Sequence, residues 1–321
     1  MEAAARSVPR RDGAVAVHSL HRFVFTVPDL DVAAAFYADF GLDVRRQGGR
    51  LDLHTFGHEH RWGSIYEAPG PKRLQYVSFG AYADDYDRIA ERREGAGRRK
   101  DQAASLGRRG RDVVRRSRRH AGAARRLAQG DPGGKDRRDR WRARVGSGAA
   151  PSRSKAGTVR PRRLSHILLF SSDVPRSVRF YSDTLGLRLS DHSGEIIAFL
   201  HGAHASDHHL IAFAKSDGPG LHHSSWDVAT FDEVGLGMQQ MIDRGHAHGW
   251  GVGRHVLGSN YFRYIRDPWG SFAEYSYDID FIPATIDWQA KDHPPEDSFY
   301  VWGPPVPDDF IINHETARRP S

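Results

Sequence analysis

Histidines and a glutamate on three separate strand-like segments could together bind a metal ion. His166 lies in the apolar run LSHILLF, the pair His222 and His223 lies in GLHHSSWDV, and Glu274 lies in SFAEYSY. Two imidazoles and one carboxylate from three strands fit the facial triad that holds Fe(II) and keeps coordination positions open for a substrate and O₂. The sequence therefore suggests chemistry at a non-haem metal centre.

Only one histidine of the doublet can share a metal ion with His166. Successive residues of a strand face opposite sides of a sheet, so His222 and His223 point in opposite directions. Glu274 is flanked by apolar and aromatic residues, and a carboxylate is costly to bury there unless it is paired or bound to metal. A lone histidine in an apolar strand, such as His166, is more often a core residue than a ligand. The position of His166 in an internal repeat strengthens its interpretation as a ligand.

Two stretches of the chain resemble each other at an offset of about 144 residues. LHRFVFTVPDLDVAAAFYADFGLDV begins at Leu20, and LSHILLFSSDVPRSVRFYSDTLGLRL begins at Leu164. Each contains an apolar strand, a turn with Asp and an amphipathic helix, followed by Gly41 or Gly186, where a positive φ can end the helix. This duplication predicts a βαβββ module used repeatedly, and hence an α+β fold.

The repeat divides the chain into two halves of unequal chemistry. We expect an N-terminal domain over residues 18–97, a C-terminal catalytic domain over residues 160–281, and a tail rich in Pro and aromatic residues over 282–321. The N-terminal half has Arg22 at the position equivalent to His166. Because a guanidinium cannot act as a metal ligand, only the C-terminal half can hold a metal in this way.

A basic segment interrupts the second module. Residues 98–144 contain 18 Lys or Arg and 5 Asp, a net charge of +13, so the rest of the chain sums to −6 within the total of +7. Large apolar residues are too few there to offset the entropy of an ordered chain. We therefore treat residues 98–149 as anomalous and expect that residues 98–144 form no strands, which leaves the N-terminal domain incomplete.

Two interpretations of this segment remain open. We favour a frameshift, because Arg, Gly and Ala dominate out-of-frame translations of GC-rich coding sequence, and ordinary composition resumes near Ala150. The alternative is a natural, disordered basic insertion that binds nucleic acid or an acidic partner. The high pI of about 9.7 would suggest nucleic-acid binding for the whole chain, but the charge belongs to this segment.

The region before Glu274 carries a longer motif, GRHVLGSNYFRYIRDPWGSFAE. Its spacing resembles that of the extradiol ring-cleaving catechol dioxygenases of the vicinal oxygen chelate superfamily. The matching positions are His255, Tyr264, Asp267, Pro268, Gly270 and Glu274. Arg263 departs from the pattern, since the family usually has an apolar residue before the tyrosine. The resemblance implies paired βαβββ modules that form two vicinal-oxygen-chelate domains.

The resemblance also implies a set of metal ligands. It makes His166 the first ligand, His223 rather than His222 the second, and Glu274 the third. The implied cofactor is Fe(II), with Mn(II) as an alternative because oxygen and nitrogen ligands discriminate poorly between these metals.

Further roles follow from the same resemblance. His209 would be the acid–base residue that accepts a catechol proton and later returns it, with His208 as the second choice because a doublet leaves the register open. His255 would hydrogen-bond one substrate oxygen, and Tyr264 would donate to the other.

The function implied is an Fe(II)-dependent extradiol dioxygenase that opens the ring of a catecholic compound with O₂. The alternatives are another metal-dependent enzyme or a non-catalytic binding protein of the superfamily, or a nucleic-acid-binding protein that uses the basic segment. The absence of cysteine excludes disulfides and thiolate metal sites. With no apolar run near the roughly 20 residues of a membrane span and no signal-peptide core, we expect a cytoplasmic protein. We also expect it to form a homo-oligomer.

Overall fold

Two large β-sheets, one two-stranded sheet and four α-helices make up most of the chain that the computed structural model describes, which is residues 10–98, 113–116 and 145–316. The helices are α1 (Leu30–Asp39), α2 (Ala83–Arg98), α3 (Val174–Leu185) and α4 (Phe231–Asp243). The strands are β1 (Val17–Val27), β2 (Asp43–Gln47), β3 (Arg50–His54), β4 (Gly63–Glu67), β5 (Arg73–Ala81), β6 (Val113–Arg116), β7 (Arg163–Ser171), β8 (Arg188–Ser193), β9 (Ile197–His201), β10 (Ser206–Asp207), β11 (Ile211–Lys215), β12 (Gly220–Asp227), β13 (Gly249–His255), β14 (Tyr261–Arg266), β15 (Phe272–Tyr277), β16 (Phe281–Ile282) and β17 (Tyr300–Trp302). None of the helices in these residues combines the length and apolar character needed to cross a membrane.

The first sheet has six strands in the order β2-β3-β4-β1-β5-β6. Strand β1 pairs parallel with β4 and antiparallel with β5. Because β1, α1 and β2 to β4 follow one another along the chain, they form the first predicted βαβββ module.

The second sheet has nine strands in the order β17-β13-β14-β15-β12-β7-β11-β9-β8. Its central pair, β7 and β12, is antiparallel like β1 and β5, and β12 pairs parallel with β15. The third module supplies β7, β8, β9 and β11 with α3, and the fourth supplies β12 to β15 with α4. The α+β class predicted from the repeat is confirmed.

The second module departs from the prediction at one point. Strand β6 lies inside the basic segment and pairs parallel with β5, as β15 pairs with β12. The expectation that residues 98–144 form no strand is therefore wrong for these four residues. Apart from residues 98 and 113–116, that segment lies outside the described chain. Within the described residues, the second module has strand, helix and strand, without a counterpart of the β13–β14 hairpin.

Glycines at equivalent helix ends bring the two halves into close backbone contact. Gly41 follows α1 with a φ of +94°, and a Cβ there would lie 2.1 Å from the carbonyl oxygen of Val159. Gly186 follows α3 with a φ of +70°, and a Cβ there would lie 2.3 Å from the carbonyl oxygen of Val15. The predicted helix ends are confirmed, and glycine is required at both for conformation and for space.

A shared aromatic core also joins the halves. Phe40 stacks on Tyr275 with ring centroids 4.0 Å apart, and Tyr275 Oη donates to the carbonyl oxygen of Phe40 over 2.8 Å. An aromatic pair of this kind adds about 0.5–1.5 kcal/mol beyond the area it buries. Since Tyr275 is the neighbour of Glu274 on β15, the N-terminal half holds this strand from the face opposite to Glu274.

A buried ion pair connects the N-terminal half to the turn that precedes β15. The Lys72 ammonium donates to Asp267 and, over 2.7 Å, to Ser271 Oγ. The Lys72 and Asp267 side chains are 4% and 0% exposed. Asp267 also accepts from the backbone N–H of Trp269 over 2.9 Å, so one carboxylate closes the Asp-Pro-Trp-Gly turn and anchors it.

We expect the change Lys72→Met to lower the free energy of unfolding by about 3–5 kcal/mol, because it leaves the Asp267 carboxylate buried without its cation. Urea denaturation followed by circular dichroism measures the loss. The matched control is Arg153→Met, which breaks an ion pair with Asp243 whose side chains are 76% and 51% exposed. That control should cost less than about 1 kcal/mol. Equal losses in the two variants would show that the buried pair does not stabilise the turn.

Candidate metal centre

Three adjacent strands bring the predicted ligands together. His166 on β7 and Glu274 on β15 both pair with Ser225 of β12, and His223 lies two residues before Ser225, on the same face. Glu274 Oε2 lies 3.2 Å from His166 Nε2 and 3.5 Å from His223 Nε2. All three side chains are buried, and their ligand atoms lie within 4.8 Å of one another.

The donor atoms of this cluster fit a metal ion. Within the described chain, the buried atoms Glu274 Oε2 and His223 Nε2 make no hydrogen bond, which is costly for polar atoms without another partner. The other carboxylate oxygen, Glu274 Oε1, accepts from Asn260 Nδ2 over 3.1 Å. Burial opposes ionisation of Glu274, but His166 and His255 outweigh it and hold the pKa of the carboxyl below its usual value. An ionised carboxylate and two imidazoles could therefore hold a cation.

A hydrogen-bond chain fixes the tautomer of the histidine doublet. His222 Nε2 lies 2.9 Å from the carbonyl oxygen of Phe310, and His222 Nδ1 lies 2.7 Å from His223 Nδ1. Because a carbonyl oxygen only accepts, His222 donates from Nε2 and accepts at Nδ1. His223 then carries its proton on Nδ1, and its Nε2 presents a lone pair toward Glu274. This geometry favours His223 over His222 as the ligand.

The predicted acid–base residue lies beside the cluster. The His209 ring centroid lies 4.1 Å from that of His166. Burial, together with the neighbouring His166, His208, His223 and His255, lowers the pKa of His209 well below its usual value. His209 is thus a neutral imidazole that can accept a proton. His208 is also buried, but it faces away from the cluster toward Asp191.

His255 and Tyr264 form a hydrogen-bonded pair. His255 Nδ1 lies 2.9 Å from the carbonyl oxygen of Phe299, and His255 Nε2 lies 2.9 Å from Tyr264 Oη. The carbonyl requires the proton on Nδ1, so Nε2 accepts from the tyrosine hydroxyl. Burial lowers the pKa of His255, whereas burial and the charge of Glu274 raise the pKa of Tyr264. The two predicted substrate contacts therefore belong to one coupled pair.

The residue that departs from the family motif does not reach the cluster. Arg263 precedes Tyr264 on β14, so its side chain lies on the other face of the strand. Its guanidinium donates to the carbonyl oxygens of Gly251 and Ala247 over 2.8 and 3.0 Å. Arg263 supports the neighbouring β13 and leaves the ligand face unchanged.

Sequence reasoning missed several groups that complete the centre. Asn260 is a polar residue in a loop, and its type alone could have marked it as a partner for a buried carboxylate. The carbonyl groups of Phe299 and Phe310 belong to the tail, which the sequence marks only by its content of Pro and aromatic residues. Backbone acceptors give no signal in residue types, so no sequence pattern could have identified them.

We expect the metal-free protein to lose stability as the pH falls from about 6.5 toward 4. Burial lowers the pKa of His222 to about 4, whereas the unfolded chain has a value near 6.5. The folded state therefore resists protonation, and stability present above pH 6.5 is lost at up to about 1.4 kcal/mol per pH unit. Urea unfolding at pH 7 and 5 measures the slope, which His222→Gln should make shallower. Identical slopes would contradict the assignment.

Comparison with known proteins adds sequence and fold relationships. Residues 163–275 match the Glyoxalase/Bleomycin resistance protein/Dioxygenase superfamily. The chain is 43% identical over 300 residues to metapyrocatechase 2 of Cupriavidus necator, covering 94% of this chain and 93% of that protein. It is 30% identical over 132 residues to the iron-dependent extradiol dioxygenase of Rhodococcus jostii, covering 37% of this chain and 42% of that protein.

A solved structure has the same fold. The Mn(II)-bound glyoxalase of Novosphingobium aromaticivorans superposes with a TM-score of 0.69 at 24% sequence identity. The match covers 92% of this chain and 94% of that one. At this identity the likeness concerns the fold alone, and it extends over both halves.

Proposed function

The chain belongs to the extradiol dioxygenases of the glyoxalase/bleomycin resistance/dioxygenase superfamily and is a ring-cleaving oxidoreductase, and we propose that it opens the ring of a catecholic compound with O₂ at a metal held by His166, His223 and Glu274. The observation that carries this proposal is the approach of these three side chains, two of which present buried atoms without a hydrogen bond within the described residues.

Fe(II) is the metal that we propose for this site. Two imidazoles and one carboxylate are the ligand set of non-haem Fe(II) oxygenases. The name of the Rhodococcus relative states iron dependence, which supports the same choice, and Mn(II) is the alternative. When bound, Fe(II) would supply neighbouring coordination positions for the substrate oxygens and O₂ and a path for electrons between them.

The surrounding residues would manage the protons and the position of the substrate. His209 would accept a proton from a catechol hydroxyl, because it is a buried neutral imidazole next to the ligand cluster. His255 and Tyr264 would hold the substrate oxygens as a pair, since each is already fixed by the other. Phe199, whose ring centroid lies 4.9 Å from that of His209, would help to keep water away from the proton acceptor.

Anaerobic loading with Fe(II), followed by a panel of catechols in air, tests the activity. A yellow ring-fission product together with O₂ consumption is the expected result. A loaded protein that consumes no O₂ with any member of the panel would contradict the proposal.

We expect Glu274→Gln to abolish iron retention, because an amide lacks the charge that completes the ligand set. Iron content after desalting measures retention, and circular dichroism checks that the fold is kept. The matched control is Glu195→Gln, at an exposed position, which should retain iron as the unchanged protein does. Full retention by the Glu274 variant would remove this residue from the ligand set.

We expect His209→Asn to lower kcat by about 10²–10⁴-fold while iron content stays unchanged, because general acid–base catalysis contributes a factor of that size. Steady-state O₂ uptake and iron analysis on the same sample separate the two effects. Unchanged turnover would assign proton transfer to another group.

A further inference from the structure

We propose that Asp191 and His208 are positioning residues that hold the proton of His209 on Nδ1 and so leave its Nε2 free to accept a proton from the substrate. The inference rests on the function proposed above for His209. It concerns residues outside the family motif and extends the centre toward the tail.

Two short hydrogen bonds connect Asp191 to His209 through His208. His208 Nε2 lies 2.9 Å from Asp191 Oδ2, and His208 Nδ1 lies 3.0 Å from His209 Nδ1. The His208 side chain is 1% exposed and that of Asp191 is 7% exposed. The backbone of His208 is held as well, since its N–H donates to the carbonyl oxygen of Asp280 over 2.6 Å. The three groups therefore form a fixed, buried chain.

The other contacts of the Asp191 carboxylate also fit an acceptor. Two of them come from N–H donors, and the third is with a histidine nitrogen that can donate. The backbone N–H of Lys291 donates to Oδ1 over 2.9 Å, and the Trp288 indole N–H donates to Oδ2 over 3.3 Å. His293 Nε2 lies 3.1 Å from Oδ1. Burial opposes ionisation, but His208, the backbone N–H of Lys291 and His293 lower the pKa of Asp191 below its usual value. Asp191 is thus a carboxylate that accepts from His208.

The direction of the hydrogen bonds from His209 through His208 follows from Asp191, which accepts. Because Asp191 accepts, His208 carries a proton on Nε2, and in the proposed arrangement its Nδ1 presents a lone pair. His209 must then donate from its own Nδ1, and its remaining nitrogen, Nε2, carries the lone pair. The opposite tautomer of His209 would place an N–H where a base is needed. A buried aspartate that fixes the tautomer of a catalytic histidine acts in the same way in hydrolases, where removing its charge costs about 10⁴-fold in kcat.

The first measurement reads the tautomers directly and does not depend on turnover. Long-range ¹H–¹⁵N correlation of the histidine rings, recorded on the metal-free protein and again with Zn(II) added, shows which nitrogen carries the proton. We expect Nδ1–H for His209 and Nε2–H for His208. A His209 ring protonated on Nε2, or a His208 ring protonated on both nitrogens, would overturn the proposal.

The second measurement uses Asp191→Asn. The amide can turn an N–H toward His208 and so reverse the direction of the hydrogen bonds between Asp191, His208 and His209. We expect the His209 proton to move to Nε2 in the spectrum, and kcat of the Fe(II)-loaded enzyme to fall by about 10²–10⁴-fold with KM and iron content unchanged. The matched control is Asp292→Asn, the same change in a side chain that is 64% exposed and bonded to Gly194 N–H over 2.8 Å. The control should keep both the spectrum and kcat.

The outcomes separate the two proposals. If Asp191→Asn keeps kcat, or lowers it without moving the His209 proton, the positioning role is wrong although the dioxygenase function stands. If the unchanged enzyme oxidises no catechol while the spectrum shows the expected tautomers, the proposed function fails and the hydrogen-bond chain remains. Should Asp191→Asn fail to fold, the spectrum of the unchanged protein still decides the direction of the chain.

Discussion

A buried, ionised carboxylate is the constraint on which the arrangement of the C-terminal half depends. Glu274 is fully buried, and its Oε2 lies 3.2 Å from His166 Nε2 and 3.5 Å from His223 Nε2. The tautomer of His223 turns a lone pair toward that oxygen, so the two groups repel each other unless a cation lies between them. The pairing of β7, β12 and β15 maintains this geometry, because Ser225 fixes His166 and Glu274 at the same level of the sheet.

The proton positions of His222, His255 and His208 are decided at the periphery of the centre. The carbonyl oxygens of Phe310 and Phe299 hold the protons of His222 and His255, and Asp191 accepts from His208. These acceptors belong to the tail or, in the case of Asp191, are themselves held by tail residues. The tail therefore supplies acceptors to a site whose proposed ligands all lie on the sheet. A lone pair in the right direction is as necessary for ligation or proton transfer as the residue type.

The sequence could single out the three proposed ligands, which the structure brings together, because their chemistry is in their residue types. His166, His223 and Glu274 lie in short strand-like segments, and the internal repeat located those segments within modules. The registers that align them, and the backbone acceptors that orient them, depend on pairings between distant residues. Strand β6 shows the limit most clearly, since four residues in a segment without apolar alternation pair with β5. A parallel neighbour can recruit a short stretch whose own propensity is weak.

The two halves of the molecule show how the duplicated module diverged. Arg22 pairs with Ser78 as His166 pairs with Ser225, so Tyr76 takes the place of His223 and Val113 that of Glu274. Arg22 donates to Tyr76 Oη over 3.1 Å, which puts a cation and a phenol at the positions that the proposed ligands His166 and His223 occupy in the other half.

Because the two halves have diverged, the basic segment in the N-terminal half can influence the metal centre only through intervening residues. The alignment with the Cupriavidus relative spans 94% of this chain and 93% of that protein, so the two chains have nearly the same length. This counts in favour of the frameshift interpretation and against an insertion. Because every proposed ligand and every acceptor that orients it lies beyond residue 160, an altered second module would act on the centre indirectly. The route runs through contacts such as Phe40 with Tyr275 and Lys72 with Asp267, which hold β15 from the N-terminal side.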